Sequence, residues 1–189
     1  MNSVTYVLHE EDVDYCVLID CGGWETLKPV LEKIGKKVRA VLLTHAHTDH
    51  IYGINKVIET FPNALIYTNA EGEKGLQNPQ WNLSRYHDDI EDFIISSPQN
   101  VRVIDKEGSL QVDDDIMVEV LFTPGHEPSC LSFIIENNLF TGDAYIPGIG
   151  TVVSFPRSNK ISAQKTLKRL QYLEKNGLTV CAGHRIIKY

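Results

Sequence analysis

The 189-residue chain lacks the features that announce an oxidising compartment, a membrane or a polyanionic partner. It has four cysteines, Cys16, Cys21, Cys130 and Cys181, and none forms a CxxC pair. Each lies in or beside an apolar run, so four reduced thiols are expected rather than a disulfide framework. No apolar stretch reaches the length of a membrane span. The N-terminal "MNSVTYVLHEED" lacks the basic start and apolar run of a signal peptide, so a cytoplasmic location is expected. Basic residues are in the minority, 18 against 25 acidic, giving a net charge of −7. That argues against non-specific nucleic-acid binding, which needs a basic footprint. Bound divalent cations would offset several of these acids locally. Internal repeats and low-complexity segments are also missing.

What remains is an ordinary globular composition, 42% hydrophobic and 23% charged, suited to one domain over residues 1–189. "VTYVL" and "YCVLID" read as strands joined by an acidic turn. "GGWETLKPVLEKIG" reads as a turn and a helix with Leu27, Val30, Leu31 and Ile34 on one face. "VRAVLLT" and "ALIYT" read as strands. "HIYGINKVIETFP" between them starts a helix that Pro62 closes. This alternation suggests an α/β layered fold. Residues 69–100 are polar and punctuated by glycine and proline, and read as a lid-like loop with short helical pieces. The strands "VRVID", "IMVEVLF", "CLSFIIE" and "NLFTG" follow. Next comes an amphipathic helix, "SAQKTLKRLQYLEKNG", with Ser162 as N-cap and Gly177 as stop, and last the strand "LTVCAG".

Five of the seven histidines fall at strand ends: His45, His47 and His50 in "THAHTDH", His126 in "FTPGHEP" and His184 in "CAGHR". Asp20 in "VLIDCGG" and Asp143 in "LFTGDAY" share that placement, where open α/β sheets bind ligands. His45 and His47 are two apart, so an extended backbone points them the same way. Asp49 and His50 follow at a helix start and can turn toward the same space. Imidazole suits zinc, iron, nickel and copper, and a carboxylate can join two ions. The set is too large for one four-coordinate zinc and about right for two metals sharing one carboxylate.

The ordered set "THAHTDH", "TPGHEPS", "LFTGDA" and "AGH" resembles the metallo-β-lactamase superfamily over essentially the whole chain. The resemblance implies a four-layer αβ/βα sandwich with metals at the shared sheet edge. It implies one metal on His45, His47 and His126, a second on Asp49, His50 and His184, and Asp143 bridging them. Asp20 would orient a ligand histidine. Two zinc ions are implied, with iron or manganese as substitutes. "LQNPQWNLSRY" is similar to the lid of the glyoxalase II (hydroxyacylglutathione hydrolase) branch. Only "RIIKY" follows His184, so that branch's C-terminal glutathione-binding domain is expected to be missing. Glu127 and Cys130 stand in "GHEPSC" where the family commonly has small neutral residues.

The implied activity is hydrolysis of a small-molecule thioester, ester or lactone by a hydroxide bridging two metal ions. Asp49 is the expected acceptor of its proton. A mononuclear-iron, persulfide-dioxygenase-like oxidoreductase is the alternative, but it leaves His50 and His184 without a role. A phosphodiesterase is a further alternative, and a metal-binding sensor is the non-enzymatic one. Tyr145, Trp81 and Arg157 are candidate substrate contacts, with Trp81 equally readable as lid packing. His9 and His87 read as solvated, and Asp113 to Asp115 as a solvated turn. The expected partner is a small molecule, with neither nucleic acid nor membrane. The sequence leaves the oligomeric state open, a homodimer included.

Overall fold

The computed structural model describes residues 3–113 and 116–185. One sheet holds β1 (Tyr6–Leu8), β2 (Tyr15–Ile19), β3 (Lys37–Leu42), β4 (Leu65–Asn69) and β5 (Val101–Ile104) in that spatial order. β1 and β2 pair antiparallel and the others parallel. The second sheet holds β6 (Gly108–Asp113), β7 (Ile116–Phe122), β8 (Leu131–Ile135), β9 (Asn138–Gly142) and β10 (Thr179–Ala182), in the order β10-β9-β8-β7-β6. Only β9 and β10 run parallel there.

Residue alternation builds the layers. In β2, Val17 and Ile19 face the second sheet, together with Ala40 and Leu42 of β3. Their neighbours Cys16, Leu18 and Val41 point the other way, onto α1 (Trp24–Ile34) and α3 (Ile54–Thr60). Strands buried on both faces have to read as continuous apolar runs, and these do. Leu121, Leu139 and Tyr145 cover the outer face of the second sheet beneath Leu170 of α5 (Lys160–Lys175). The result is the four-layer αβ/βα sandwich. Among the described residues, no helix is long and apolar enough to cross a membrane.

Several local expectations need correction. The helix after "THAHTDH" is broken into α2 (Thr48–Ile51) and α3. Gly53 lies at the break, its amide donating to the Cys21 carbonyl at 2.8 Å. Val30 is 43% exposed, so α1 buries the narrower stripe of Leu27 and Leu31. Asn159, not Ser162, caps α5, accepting from the Ser162 amide at 2.9 Å. β6 was not anticipated. Asp113 ends it and pairs with Arg39 at 2.9 Å, while Asp114 and Asp115 lie outside the described residues. In the expected lid, α4 (Ala70–Leu76) is a regular helix, and Phe93 and Ile95 are buried in the core.

Gly125, in the loop after β7, has φ +144°, and a Cβ there would stand 2.3 Å from the Ala163 Cα in α5. Gly125→Ala is expected to lower stability by about 3 kcal/mol, from backbone strain plus overpacking. Chemical denaturation checks this. A loss under about 1 kcal/mol would mean that α5 shifts freely.

Candidate metal centre

Five chain segments deliver side chains to one end of the sandwich. Asp20 follows β2, and His45 to His50 follow β3 and enter α2. His126 lies in the loop after β7, Asp143 follows β9, and His184 follows β10. The Val4 amide donates to the Gly183 carbonyl at 2.8 Å, tying the two sheets together at this end.

Potential ligand atoms form three groups, each within 4.8 Å: His45–His47–His126, His45–His50–Asp143 and Asp49–His50–His184. Asp143 stands between the two outer groups. Its carboxylate lies 3.4 Å from His50 Nε2, 3.4 Å from His184 Nε2 and 3.8 Å from His126 Nε2. His184 Nε2 also lies 3.2 Å from Asp49. Asp49 is not a helix cap, since His47 occupies that position. Gly183 leaves room for the cluster: a Cβ there would come within 2.5 Å of Asp143 Oδ1.

Neighbouring groups fix which nitrogen each imidazole presents. His50 Nδ1 donates to Asp20 Oδ2 at 2.7 Å, which turns Nε2 toward the cluster. Asp20 is itself held by the Thr44 amide and hydroxyl, each at 2.7 Å. His126 Nδ1 donates to the Val152 carbonyl at 2.8 Å. Glu127 is buried, accepting from the Ser129 amide at 2.6 Å and from the Ser129 hydroxyl. That hydroxyl accepts from the Ala46 amide, between His45 and His47, at 3.0 Å. Thr44, Val152 and Ser129 were not picked out from the sequence. Only the proximity of Thr44 and Ser129 to histidine motifs hints at them, and a main-chain carbonyl leaves no trace in residue identity.

The electrostatics divide the cluster. Burial, reinforced by His126, pushes His47 down to about 3, and burial likewise lowers His45 and His126. These three are neutral imidazoles at neutral pH. His184 goes the other way, up to about 10, through its contacts with Asp143 and then Asp49. Burial opposes charge on His50, but Asp20 and Asp143 outweigh it and hold His50 protonated. Burial also acts on Asp143 and Asp49, and the histidines outweigh it to keep both ionised.

Buried His45 Nε2, His50 Nε2 and Asp143 Oδ1 have no hydrogen-bond partner. Unpaired polar atoms in a buried site are costly. His50 Nε2 and Asp143 Oδ1 face each other at 3.4 Å, longer than a well-formed charge-assisted hydrogen bond, and with His45 Nε2 they leave a spacing that suits a cation. The donor set, imidazole nitrogens with carboxylates, fits divalent transition metals.

An open cleft of roughly 660 Å³ leads to this cluster, walled by Leu83, His87, Asp89, Ile90, Val152 and Phe155. His87, expected to be simply solvated, is exposed at its rim, and His9 is exposed elsewhere. Tyr145 does not line the cleft. It is buried under α5, its hydroxyl donating to Glu174 at 2.7 Å. Trp81 and Arg157 meet one another in an adjoining cavity, the guanidinium 4.1 Å from the indole centroid.

The family model of the metallo-beta-lactamase superfamily matches residues 1–184. The chain belongs to the metallo-β-lactamase superfamily. A hydroxyacylglutathione hydrolase of Francisella philomiragia is 30% identical over 155 residues, covering 80% of this chain and 51% of that protein. The chain thus spans about half the length of the first hydroxyacylglutathione hydrolases it matches. A Streptococcus pyogenes protein named "Probable metallo-hydrolase" is 28% identical, covering 95% of this chain and 77% of that one. Among solved structures, the BLEG-1 B3 metallo-beta-lactamase superposes with a TM-score of 0.83 at 25% identity, covering 98% of this chain and 88% of that chain. TTHA1623, solved in a di-iron-bound form, gives 0.77 at 24% identity, covering 97% and 88%, and supports the fold alone.

Proposed function

We propose that this superfamily member is a metal-dependent hydrolase of a small-molecule thioester, ester or lactone. His45, His47 and His126 hold one divalent cation, and Asp49, His50 and His184 hold a second. Asp143 lies between them and Asp20 orients His50. Zinc is the proposed metal. The observation carrying this reading is the convergence of three potential ligand groups around buried, unpaired Nε2 and Oδ1 atoms.

Metals bound there would lower the pKa of water from 15.7 to about 7 and polarise an acyl oxygen. The chain supplies the rest. His50 and His126 are fixed in one tautomer by Asp20 and the Val152 carbonyl. Asp49, whose side chain is 33% exposed at the cleft, is placed to accept the proton of the attacking water. Leu83, Val152 and Phe155 exclude bulk water from one side of the cleft.

The mononuclear-iron oxidoreductase is less well supported, because it assigns nothing to the second group of ligands. The test is an assay of zinc-loaded and chelator-stripped protein on thioesters, lactones and phosphodiesters. Metal-dependent turnover of an acyl substrate is expected. Activity restricted to persulfide oxidation would overturn the proposal.

The electrostatic division gives a further expectation. A cation entering the Asp49–His50–His184 group has to displace protons from His50 and His184, whereas the other three histidines are already neutral. Affinity at the second group therefore rises with pH, by about tenfold per unit for each proton released. Chelator competition between about pH 6 and pH 8 should show one pH-sensitive and one nearly flat affinity. Two equally flat affinities would contradict the assignment.

A further inference from the structure

We infer that the cavity beside His47 is a substrate subsite for an uncharged apolar group, an aromatic ring fitting best. This rests on the hydrolase reading and names the substrate class it serves. The cavity measures about 190 Å³ and is lined by Trp81, Tyr86 and Phe155, with Leu83, Glu127 and Arg157. It shares His47, Leu83 and Phe155 with the main cleft, so one ligand can occupy both. An apolar cavity of roughly 150 Å³ suffices to hold benzene.

Arg157 would ordinarily suggest an anion, but its charge is spent. Nη1 donates to Glu127 at 2.8 Å, Nη2 donates to Glu71, and the guanidinium lies against Trp81. Glu71 also accepts from Lys74 at 2.6 Å. Two cations thus meet two carboxylates. A carboxylate or phosphate arriving here would have to break a partly buried ion pair. The adjoining lip adds repulsion. Asp89 lines the main cleft and is exposed, as are its chain neighbours Asp88 and Glu91, and Arg85 is paired with Asp92 at 2.8 Å. Among the described residues, no lysine or arginine lines the main cleft.

Leu83 strengthens the assignment. It holds a left-handed backbone, φ +68°, a conformation unfavourable for a leucine. Buried Asn82 fixes that conformation. Its Nδ2 donates to the Gly75 and Phe93 carbonyls at 2.9 and 3.0 Å, and its carbonyl accepts from the Thr48 amide at 2.8 Å. The strained residue is thus one of the three that line both cavities.

The test uses zinc-loaded protein and two matched thioester series, one varied on the acyl side and one on the thiol side. Each series ends in phenyl, methyl or carboxylate. In one series, phenyl is expected to exceed methyl in kcat/KM by about tenfold, with carboxylate below methyl. Trp81→Ala, or the more exposed Tyr86→Ala, should bring the phenyl-to-methyl ratio toward one through KM. Equal rates across both series, or a preference for carboxylate, would overturn the subsite. If no thioester is turned over, thioester hydrolysis fails separately from the subsite. Calorimetry with phenyl and carboxylate thioethers then decides: phenyl binding lost in Tyr86→Ala supports the subsite, and its absence in the parent protein overturns it.

Discussion

On the proposed two-metal reading, Asp143→Asn is expected to reduce bound metal from two ions per chain to one and to lower kcat/KM on the order of a thousandfold. The substitution keeps size and shape and removes one charge. That charge stands 3.4 Å from both His50 Nε2 and His184 Nε2 and, among the described residues, is the only carboxylate within 4 Å of all three of His50, His126 and His184. Without it the two groups of ligands lose their shared anion, and two cations a few ångströms apart repel without compensation. The expected outcome is a folded protein with unchanged far-UV circular dichroism and one metal on the three neutral histidines. An Asp143→Asn protein that keeps two metals and full turnover would show that the carboxylate is incidental.

Asp20→Ala is expected to destabilise the protein by roughly 3 kcal/mol or more, and Asp20→Asn to spare much of that while weakening metal binding about 10- to 100-fold. Asp20 is 1% exposed and accepts from three donors: the Thr44 amide, the Thr44 hydroxyl and His50 Nδ1, each at 2.7 Å. Alanine leaves all three unpaired in a buried place. It also occupies a left-handed backbone position, φ +58°, that aspartate tolerates better than alanine. Asparagine retains one acceptor oxygen but puts an amide donor into the same carboxylate site. Its single oxygen cannot accept from both the Thr44 amide and His50 Nδ1, so one of them faces an amide donor and the hold on His50 weakens. Denaturant unfolding and chelator competition measure the two effects independently. Equal losses in both variants would place Asp20 in folding alone.

The parts legible in the sequence are those whose residue identity alone carries the physics. "YCVLID" and "VRAVLLT" are apolar at consecutive positions because both faces are covered, and the histidines and aspartates at the strand ends are improbable as core or surface. β6 escaped because "GSLQVD" mixes glycine and polar residues and is stabilised by its antiparallel partner β7. The break at Gly53 depends on Cys21, a residue far away in sequence. Tyr145 was placed near substrate because it follows Asp143 by two positions, yet its hydroxyl meets Glu174 in α5. Arg157, a candidate substrate contact, is paired with Glu71 and Glu127, which no sequence pattern reveals because they come from other segments. Direction and pairing, unlike residue type, are set by tertiary contacts.

The proposed function requires that "THAHTDH" and its partners form one dinuclear centre. The most direct measurement is the metal content per chain of protein purified without added metal or chelator, set beside its rate on an acyl substrate. Near two zinc ions per chain, with activity lost on stripping and regained as the second equivalent is added, is the expected result. About one iron per chain, with no acyl hydrolysis after zinc is supplied, would contradict it.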